Sequence, residues 1–471
     1  MPVAIHSLIW LRNDLRIYDN PALFSAVKSG PCAAIYLLTP QQWDIHDVSP
    51  VKRAFIVRHL RSLEKDLSKL NIPLIVLNCG HFSKLPNALL KTGKALQVKQ
   101  CFYNHEYELN ESRCADQVKA LLNKSGIECH AFHDQCIVQP GQIKTKTGDD
   151  YKVFTAFKRA FIASYRQRAR KLIKRPAKQA KTVIDSDLSI LDKLKLDTSK
   201  DVLWPVGEST AHAHLKKFID SKITHYQQRR DIPSVDATSI LSHWLSVGAL
   251  STTQCLHDVL QTQADALSMD NSSGAATWIS ELIWREFYRH LLVAFPDLCR
   301  NKPFIKNTDK LPWNNDEKKF AAWCAGQTGY PLVDAAMRQL NTTGWMHNRL
   351  RMVTAMFLSK HLFLDWRLGE KYFMQNLIDG DLASNNGGWQ WSASTGVDAV
   401  PYFRIFNPTR QSQRFDPEGT FIRKYVPELS ALDNKSIHQP SAEQIQQCNY
   451  YPPLVEHAKA VAETRMLFKN L

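Results

Sequence analysis

The chain has 471 residues, enough for two or three domains with a sizeable buried core. Sixty Lys and Arg stand against 45 Asp and Glu, and the resulting charge of +15 favours polyanionic partners or anionic surfaces. The ten cysteines are scattered without a Cys-x-x-Cys pair, which argues against zinc or another metal, and no stretch reaches the roughly 18 apolar residues of a membrane span. With no signal-like start either, the expectation is a soluble, reduced, cytoplasmic protein that needs no membrane.

In chain order, Ser7 to Leu11, Cys32 to Leu38, Pro73 to Asn78 and Gln100 to Tyr103 are short apolar runs that predict buried strands, with helical patterns between them. Asp19-Asn20-Pro21 predicts a helix start, because a capping side chain precedes a proline whose fixed φ suits the first turn. Alternation of this kind implies an α/β domain over residues 1–135, a doubly wound parallel sheet with any ligand at the carboxyl ends of its strands. The first strand-to-helix turn, Arg12-Asn13-Asp14-Leu15-Arg16, lacks the glycines that admit a pyrophosphate, so a dinucleotide is not expected there.

Residues 136–203 read as an interdomain connection. Ala160 to Lys181 is crowded with Arg and Lys but has no interleaved aromatic platform for bases, so it is expected to be a solvated helix followed by a linker. Residues 204–471 predict an all-helical domain, with amphipathic segments at His212 to Arg230, Ser239 to Leu260, Thr277 to Phe295, Tyr330 to Leu340 and Trp345 to His361.

Three constellations in that domain can carry chemistry. At about 100° per residue, Trp278, Glu281, Trp284, Arg285 and Tyr288 share a helical face, which suits a wall that stacks a planar ligand; a core face with an internal Glu-Arg pair is the alternative. Trp345, Asn348, Arg349 and Met352 form a second mixed face, whose Asn and Arg would need partners if buried. Asp379 to Trp391, with its acids, amides and glycines, predicts a non-helical loop held close to a ligand, or an ordinary capped loop. Thr238-Ser239-Ile240-Leu241-Ser242 opens a predicted helix where hydroxyls and free N–H groups either cradle a phosphate or simply cap. No Ser-His-Asp, metal-ligand or Walker pattern appears, which removes ordinary hydrolytic and nucleotide triphosphatase chemistry.

The opening Trp10-Leu-Arg12-Asn-Asp14-Leu-Arg16, with Glu281 to Tyr288, Gly344 to Met352 and Asp379 to Trp391, resembles in order and spacing the motifs of the photolyase and cryptochrome family, in particular those of bacterial class I cyclobutane dimer photolyases. The resemblance covers essentially the whole chain. It implies FAD in the helical domain. Tyr226, Thr238, Ser239, Ile240, Leu241 and Ser242 would lie on the diphosphate and ribose side, although Ile240 departs from the basic residue usual there. Trp278, Arg285, Asn348, Arg351, Asp379, Gly380 and Asp381 would surround the flavin, with Asn385 facing its N5.

The same resemblance implies ultraviolet-damaged DNA as partner and light-driven repair of a flipped-out dimer by the reduced anionic flavin; a blue-light-sensing cryptochrome and a six-four photoproduct photolyase are the alternatives. Base flipping is a general property of photolyases as a class, and it enters here with the resemblance. Glu281, Trp284, Asn348, Met352 and Trp391 would form the lesion pocket, Arg230, Arg349 and Arg404 would grip flanking phosphates, and Trp389, Trp366 and Trp313 would relay electrons to the surface. His46, Asn110, Glu111 and Cys299 match the antenna positions, implying methenyl tetrahydrofolate, with a deazaflavin or an empty site as alternatives. A monomer is expected.

Overall fold

The structure, a computed structural model, describes residues 2–471. Two compact units interleave along the chain. The first takes in the chain up to Tyr151, Thr155–Ser221 and Ser239–Pro296; the second takes in Lys152–Phe154, Lys222–Thr238 and Asp297–Leu471. The units therefore do not follow a single division near residue 203, because Ser239–Pro296 groups with the sheet.

In the first unit five parallel strands, β1 (Ser7–Leu11), β2 (Cys32–Leu38), β3 (Leu74–Asn78), β4 (Gln100–Asn104) and β5 (Glu128–Phe132), lie in the order β3-β2-β1-β4-β5. Every residue of β1 and β2 is buried, which is why those strands read as unbroken apolar runs. The edge strand β5 escaped the sequence reading because Glu-Cys-His-Ala-Phe is half exposed and shows no such run. Asn20 caps the Pro21–Ser29 helix as the sequence predicts, its side chain accepting from the Leu23 N–H at 3.1 Å.

Segment 239–296 is tied to the sheet through Gly248. A Cβ there would lie 1.9 Å from the Asn13 carbonyl oxygen, and its φ of +68° is left-handed, so only glycine serves. This glycine also breaks the helix expected over Ser239 to Leu260 into Ser242–Ser246 and Thr252–Thr262, the latter capped by Ser251. The helix expected over His212 to Arg230 likewise divides, into Glu208–Ser221, a 3-10 turn and Tyr226–Arg229. Within the expected connection, Phe154–Gln167 is a helix whose Phe157, Phe161 and Ile162 are buried, so it is amphipathic rather than wholly solvated.

The second unit is helical. Pro331–Thr343, Asn348–Met356, Trp366–Asn376 and Leu382–Ala393 enclose a core that includes Trp323, Trp366, Phe373 and Trp389. Two expectations are corrected here. Trp345 precedes its helix, which begins at Asn348 with His347 as cap, so Trp345 does not share the Asn348 face. The segment after Asp379 is a helix, Leu382–Ala393, and not a loop: Asp381 caps it by accepting from the Ser384 N–H at 3.0 Å, and burial of Ala383, Asn386, Trp389 and Gln390 outweighs the poor intrinsic propensity of its glycines and asparagines.

Candidate functional site

A cleft of about 560 Å³ opens within the second unit, lined by Asn348, Arg351, Met352, Asp379, Asp381 and Asn385 together with Trp389. The Asn348–Met356 helix brings its first two turns to it, and the cap and first turn of Leu382–Ala393 face them. Arg351 reaches both oxygens of Asp379 at 3.1 and 2.8 Å and donates through Nε to the Met346 carbonyl at 2.9 Å, so its guanidinium is fixed in place. A carboxylate held at both oxygens by one guanidinium nitrogen leaves a rigid, charged edge for a ligand.

Asn385 donates its Nδ2 to the Glu370 carbonyl at 2.9 Å, which leaves Oδ1, an acceptor, for the cleft. The network behind it was not foreseen from the sequence. Asn386 donates through Nδ2 to buried Glu370 at 3.0 Å and accepts at Oδ1 from Gln390 Nε2 at 2.9 Å, locking the helix that carries Asn385. Acid and amides close together after Asp379 were visible, but their partner Glu370 lies sixteen residues before Asn386 with no motif to mark it.

Trp389 and Trp391 diverge as their spacing requires: Trp389 is buried and Trp391 half-buried. Trp366 is buried in the same core, and Trp313 packs against its margin. Gly380 precedes the cap and does not line the cleft.

Arg349 pairs with Asp231 at 2.7 Å and lies 4.5 Å over Phe415, while Arg230 lies 5.3 Å over Tyr226 and 3.9 Å from the same Asp231. One carboxylate thus holds two of the three arginines expected at phosphates. Arg404 is exposed. Thr238 belongs to this unit and stands ahead of Ser239 in the other.

In the first unit the Gly274–Ala294 helix is buried on most sides, and Glu281, Trp284, Arg285 and Tyr288 form its half-buried stripe, with Trp278 buried at one end against Phe218. Trp284 and Tyr288 stack obliquely at 5.6 Å, and Arg285 is anchored by the Gln135 and Leu245 carbonyls at 2.8 and 3.2 Å. The stripe, not the buried remainder, is available to a ligand. In the preceding loop Ser239 and Ile240 stand ahead of the Ser242–Ser246 helix, where Leu241 at the cap position contributes no side-chain bond. Simple capping is therefore not what these hydroxyls do. Ile240 has φ of +46°, an uncommon conformation for a β-branched residue and one that concentrates at functional loops.

A second cleft, of about 690 Å³, lies in the same unit where the sheet order reverses beside β1. Residues just after β1, β2 and β4 line it, the crevice that a doubly wound sheet offers a ligand. His46 Nδ1 stands 3.2 Å from Glu111, and Nε2 stands 2.7 Å from Gln42 and 3.1 Å from Asn110. Burial opposes protonation of His46, but the hydrogen bond and charge of Glu111 hold its pKa above the ordinary value. The buried Arg12–Glu106 pair at 2.6 Å supports the same wall and was not singled out from the sequence. The signal was there: an Arg in the turn after a fully buried strand needs an acid. Cys299 lies in the other unit and is half-buried.

One group of metal-ligating side chains, Cys136, Glu286 and His290, gathers among the described residues. Glu286 accepts from the Ile137 and Val138 N–H groups and His290 Nε2 bonds the Val138 carbonyl at 3.0 Å, so these side chains are engaged in holding the 136–138 turn.

Comparison with known proteins defines the class. Residues 7–177 match the family model described as DNA photolyase, and residues 278–470 match that of the FAD binding domain of DNA photolyase. The chain belongs to the DNA photolyase family. It is an enzyme of the same class as curated relatives named deoxyribodipyrimidine photo-lyase: that of Vibrio cholerae is 43% identical over 98% of this chain and 99% of its own, and that of Escherichia coli 44% identical over 97% of each. Among solved structures, a bacterial class III photolyase from Agrobacterium tumefaciens superposes with a TM-score of 0.87 at 33% identity, covering 100% of this chain and 98% of that one. A cryptochrome from Synechocystis superposes with a TM-score of 0.86 at 29% identity, over 99% and 100% of the two chains.

FAD is the cofactor of this family's helical domain, and the second unit's cleft fits it. Asn385 Oδ1 offers a free acceptor, the Arg351–Asp379 pair a fixed polar edge, and Met352 and Phe373 apolar walls. The family's function, repair of pyrimidine dimers in DNA, is the function of this chain. No helix among the described residues is long and apolar enough to cross a membrane.

Proposed function

We propose that this enzyme repairs cyclobutane pyrimidine dimers by light-driven electron transfer to a dimer flipped out of the duplex. The observation that carries this reading is the half-buried stripe Glu281, Trp284, Arg285 and Tyr288 on an otherwise buried helix, in a chain 44% identical over 97% of its length to the photo-lyase of Escherichia coli. The chemistry supplied by a reduced, anionic FAD when bound is an electron available on excitation and taken back after ring opening, with no net redox change.

The protein's own residues do the rest. Trp284 and Trp391 wall the lesion pocket, where aromatic planes replace the base stacking lost on flipping. Glu281 hydrogen-bonds the base edge and steadies the charge that develops on the dimer, while Asn348 and Met352 complete the contact. Tyr226, Thr238, Ser239, Leu241 and Ser242 hold the cofactor's diphosphate and ribose side, and Trp278, Arg285, Arg351, Asp379 and Asp381 its ring side. Asn385 presents an acceptor without a carboxylic proton, which favours an anionic over a protonated reduced ring. Trp389, Trp366 and Trp313 relay electrons between the surface and the cofactor site.

Arg230, Arg349 and Arg404 neutralise phosphates flanking the lesion, so affinity falls steeply with salt. For the first two, DNA phosphate must compete with Asp231. Methenyl tetrahydrofolate occupies the sheet cleft as antenna against His46, Asn110 and Glu111, with Cys299 as its further contact.

The test is repair of a thymine dimer in a short oligonucleotide by fully reduced, FAD-loaded protein, with matched samples in near-ultraviolet to blue light and in darkness. Thymines restored only in light, and restoration lost on Glu281→Ala with Trp284→Ala, support the reading. Absence of repair by the loaded, reduced protein overturns it in favour of light sensing.

A further inference from the structure

Cys101 and Cys129 are direct partners on the neighbouring strands β4 and β5. Adjacent strands lie about 4.8 Å apart, inside the Cα separation a disulfide spans, and both side chains enter the same core beneath the Leu109–Lys124 helix. Cys101 is fully buried, whereas Cys129 keeps 9% exposure on the strand that forms the sheet's open edge. We propose that this pair is an oxidative modification site, at which a hydroperoxide converts two thiols into a reversible Cys101–Cys129 disulfide.

The asymmetry of the pair assigns the roles. The neighbouring Cys101 thiol lowers the pKa of Cys129, with Lys119 adding to it against burial, while the Cys129 sulfur and burial push the Cys101 thiol up. Burial pushes up Cys32, Cys79, Cys114, Cys136 and Cys255, so among the buried cysteines the thiolate, which is the nucleophile, is concentrated at Cys129. Its sulfur attacks the terminal oxygen of the hydroperoxide: an S–O bond forms, the O–O bond breaks, and the alkoxide or hydroxide leaves as alcohol or water. Cys101 then gives up its proton and attacks the sulfenic sulfur; the S–S bond forms, the S–O bond breaks and water departs. Two thiols lose two electrons and one peroxide gains them.

In-register parallel neighbours hold their Cβ atoms slightly wider than a relaxed disulfide prefers, so the bond is strained and readily reversed by a dithiol. The cross-link staples β5 to β4, the strand that leads directly into Glu106 and Glu111 of the sheet cleft.

The test is peptide mapping of the full-length protein after graded hydrogen peroxide and quenching with an alkylating reagent. A cross-linked Cys101–Cys129 peptide is expected, about 2 Da lighter than the two reduced peptides together and abolished by dithiothreitol. In Cys101→Ala, a dimedone adduct should appear at Cys129 in place of the cross-link. If both thiols are still alkylated on unfolding after doses that oxidise half-buried Cys299 and Cys448, the proposal fails. It fails equally if Cys129 is cross-linked to another cysteine. The mapping of the parent protein needs neither the variant nor any repair activity, so it stands apart from the function proposed above.

Discussion

Lys360 is a fully buried lysine with no carboxylate beside it among the described residues; its ammonium donates only to Ser394 Oγ at 2.7 Å. Burial lowers its pKa to about 7. The unfolded chain, with an ordinary pKa near 10.4, binds the proton more readily, so the penalty is fully present below pH 7 and fades as pH rises toward 10. Lys360→Met, similar in length and uncharged, is expected to raise stability at pH 7 by about 1–3 kcal/mol and to lose that advantage near pH 10. Ser394 keeps its bond to the Val400 carbonyl, so no hydroxyl is orphaned. Urea midpoints at the two pH values decide the matter: a Met variant weaker than the parent at pH 7 means that the ammonium is stabilised in the fold by more than Ser394.

At the scale of elements, the approach of Trp366–Asn376 to Leu382–Ala393 depends on Gly369. A Cβ there would lie 2.1 Å from Trp389 Cη2 and 2.6 Å from Leu358 Cδ2, so even a methyl group must displace the indole. Gly369→Ala is expected to cost about 1–3 kcal/mol by overpacking, despite alanine's better helix propensity, and to shift the fluorescence of the tryptophan core. An unchanged urea midpoint and spectrum would show that the two helices separate freely.

The same two helices show why part of the site could be read from sequence and part could not. Asn348 was legible as a polar group on a mixed helical face, and Asp379 and Asn385 in a run dense with acids, amides and glycines, whereas Arg351 was marked only by the family resemblance. The helix after Asp381 was not legible, since Ser-Asn-Asn-Gly-Gly argues locally for a turn and only packing of Ala383 and Trp389 reverses it. Strands β1 and β2 declared themselves by continuous burial; β5, an edge, did not. Nothing local in Ser239–Pro296 says that it belongs with the sheet, because that affiliation rests on Gly248 meeting Asn13, 235 positions away in the chain.

For the molecule as a whole, buried histidines set the response to acid. His290 and His347 are held near pKa 4 and His361 near 3, each chiefly by burial, against an ordinary value of 6.5. They are neutral in the fold, and the unfolded chain takes up their protons first, so their contribution is complete above pH 6.5 and is lost as pH falls from there toward 4. Each removes about 2 kcal/mol by pH 5. Glu286 acts in the opposite sense: burial raises its pKa to about 7, so acid relieves its ionisation between pH 7 and 4.5 and returns about 3 kcal/mol by pH 5. Three histidines outweigh one carboxyl. Stability is therefore expected to fall by about 3 kcal/mol between pH 7 and 5, seen as a lower urea midpoint. His361 stacks on Phe357 at 5.0 Å and meets His457 at 2.9 Å, so His361→Phe keeps the packing while removing one titrating group, and the fall should shrink by more than half. A midpoint that rises on acidification would mean that the raised carboxyls, Glu286 with Asp14, Glu106 and Asp334, control the balance instead of the imidazoles.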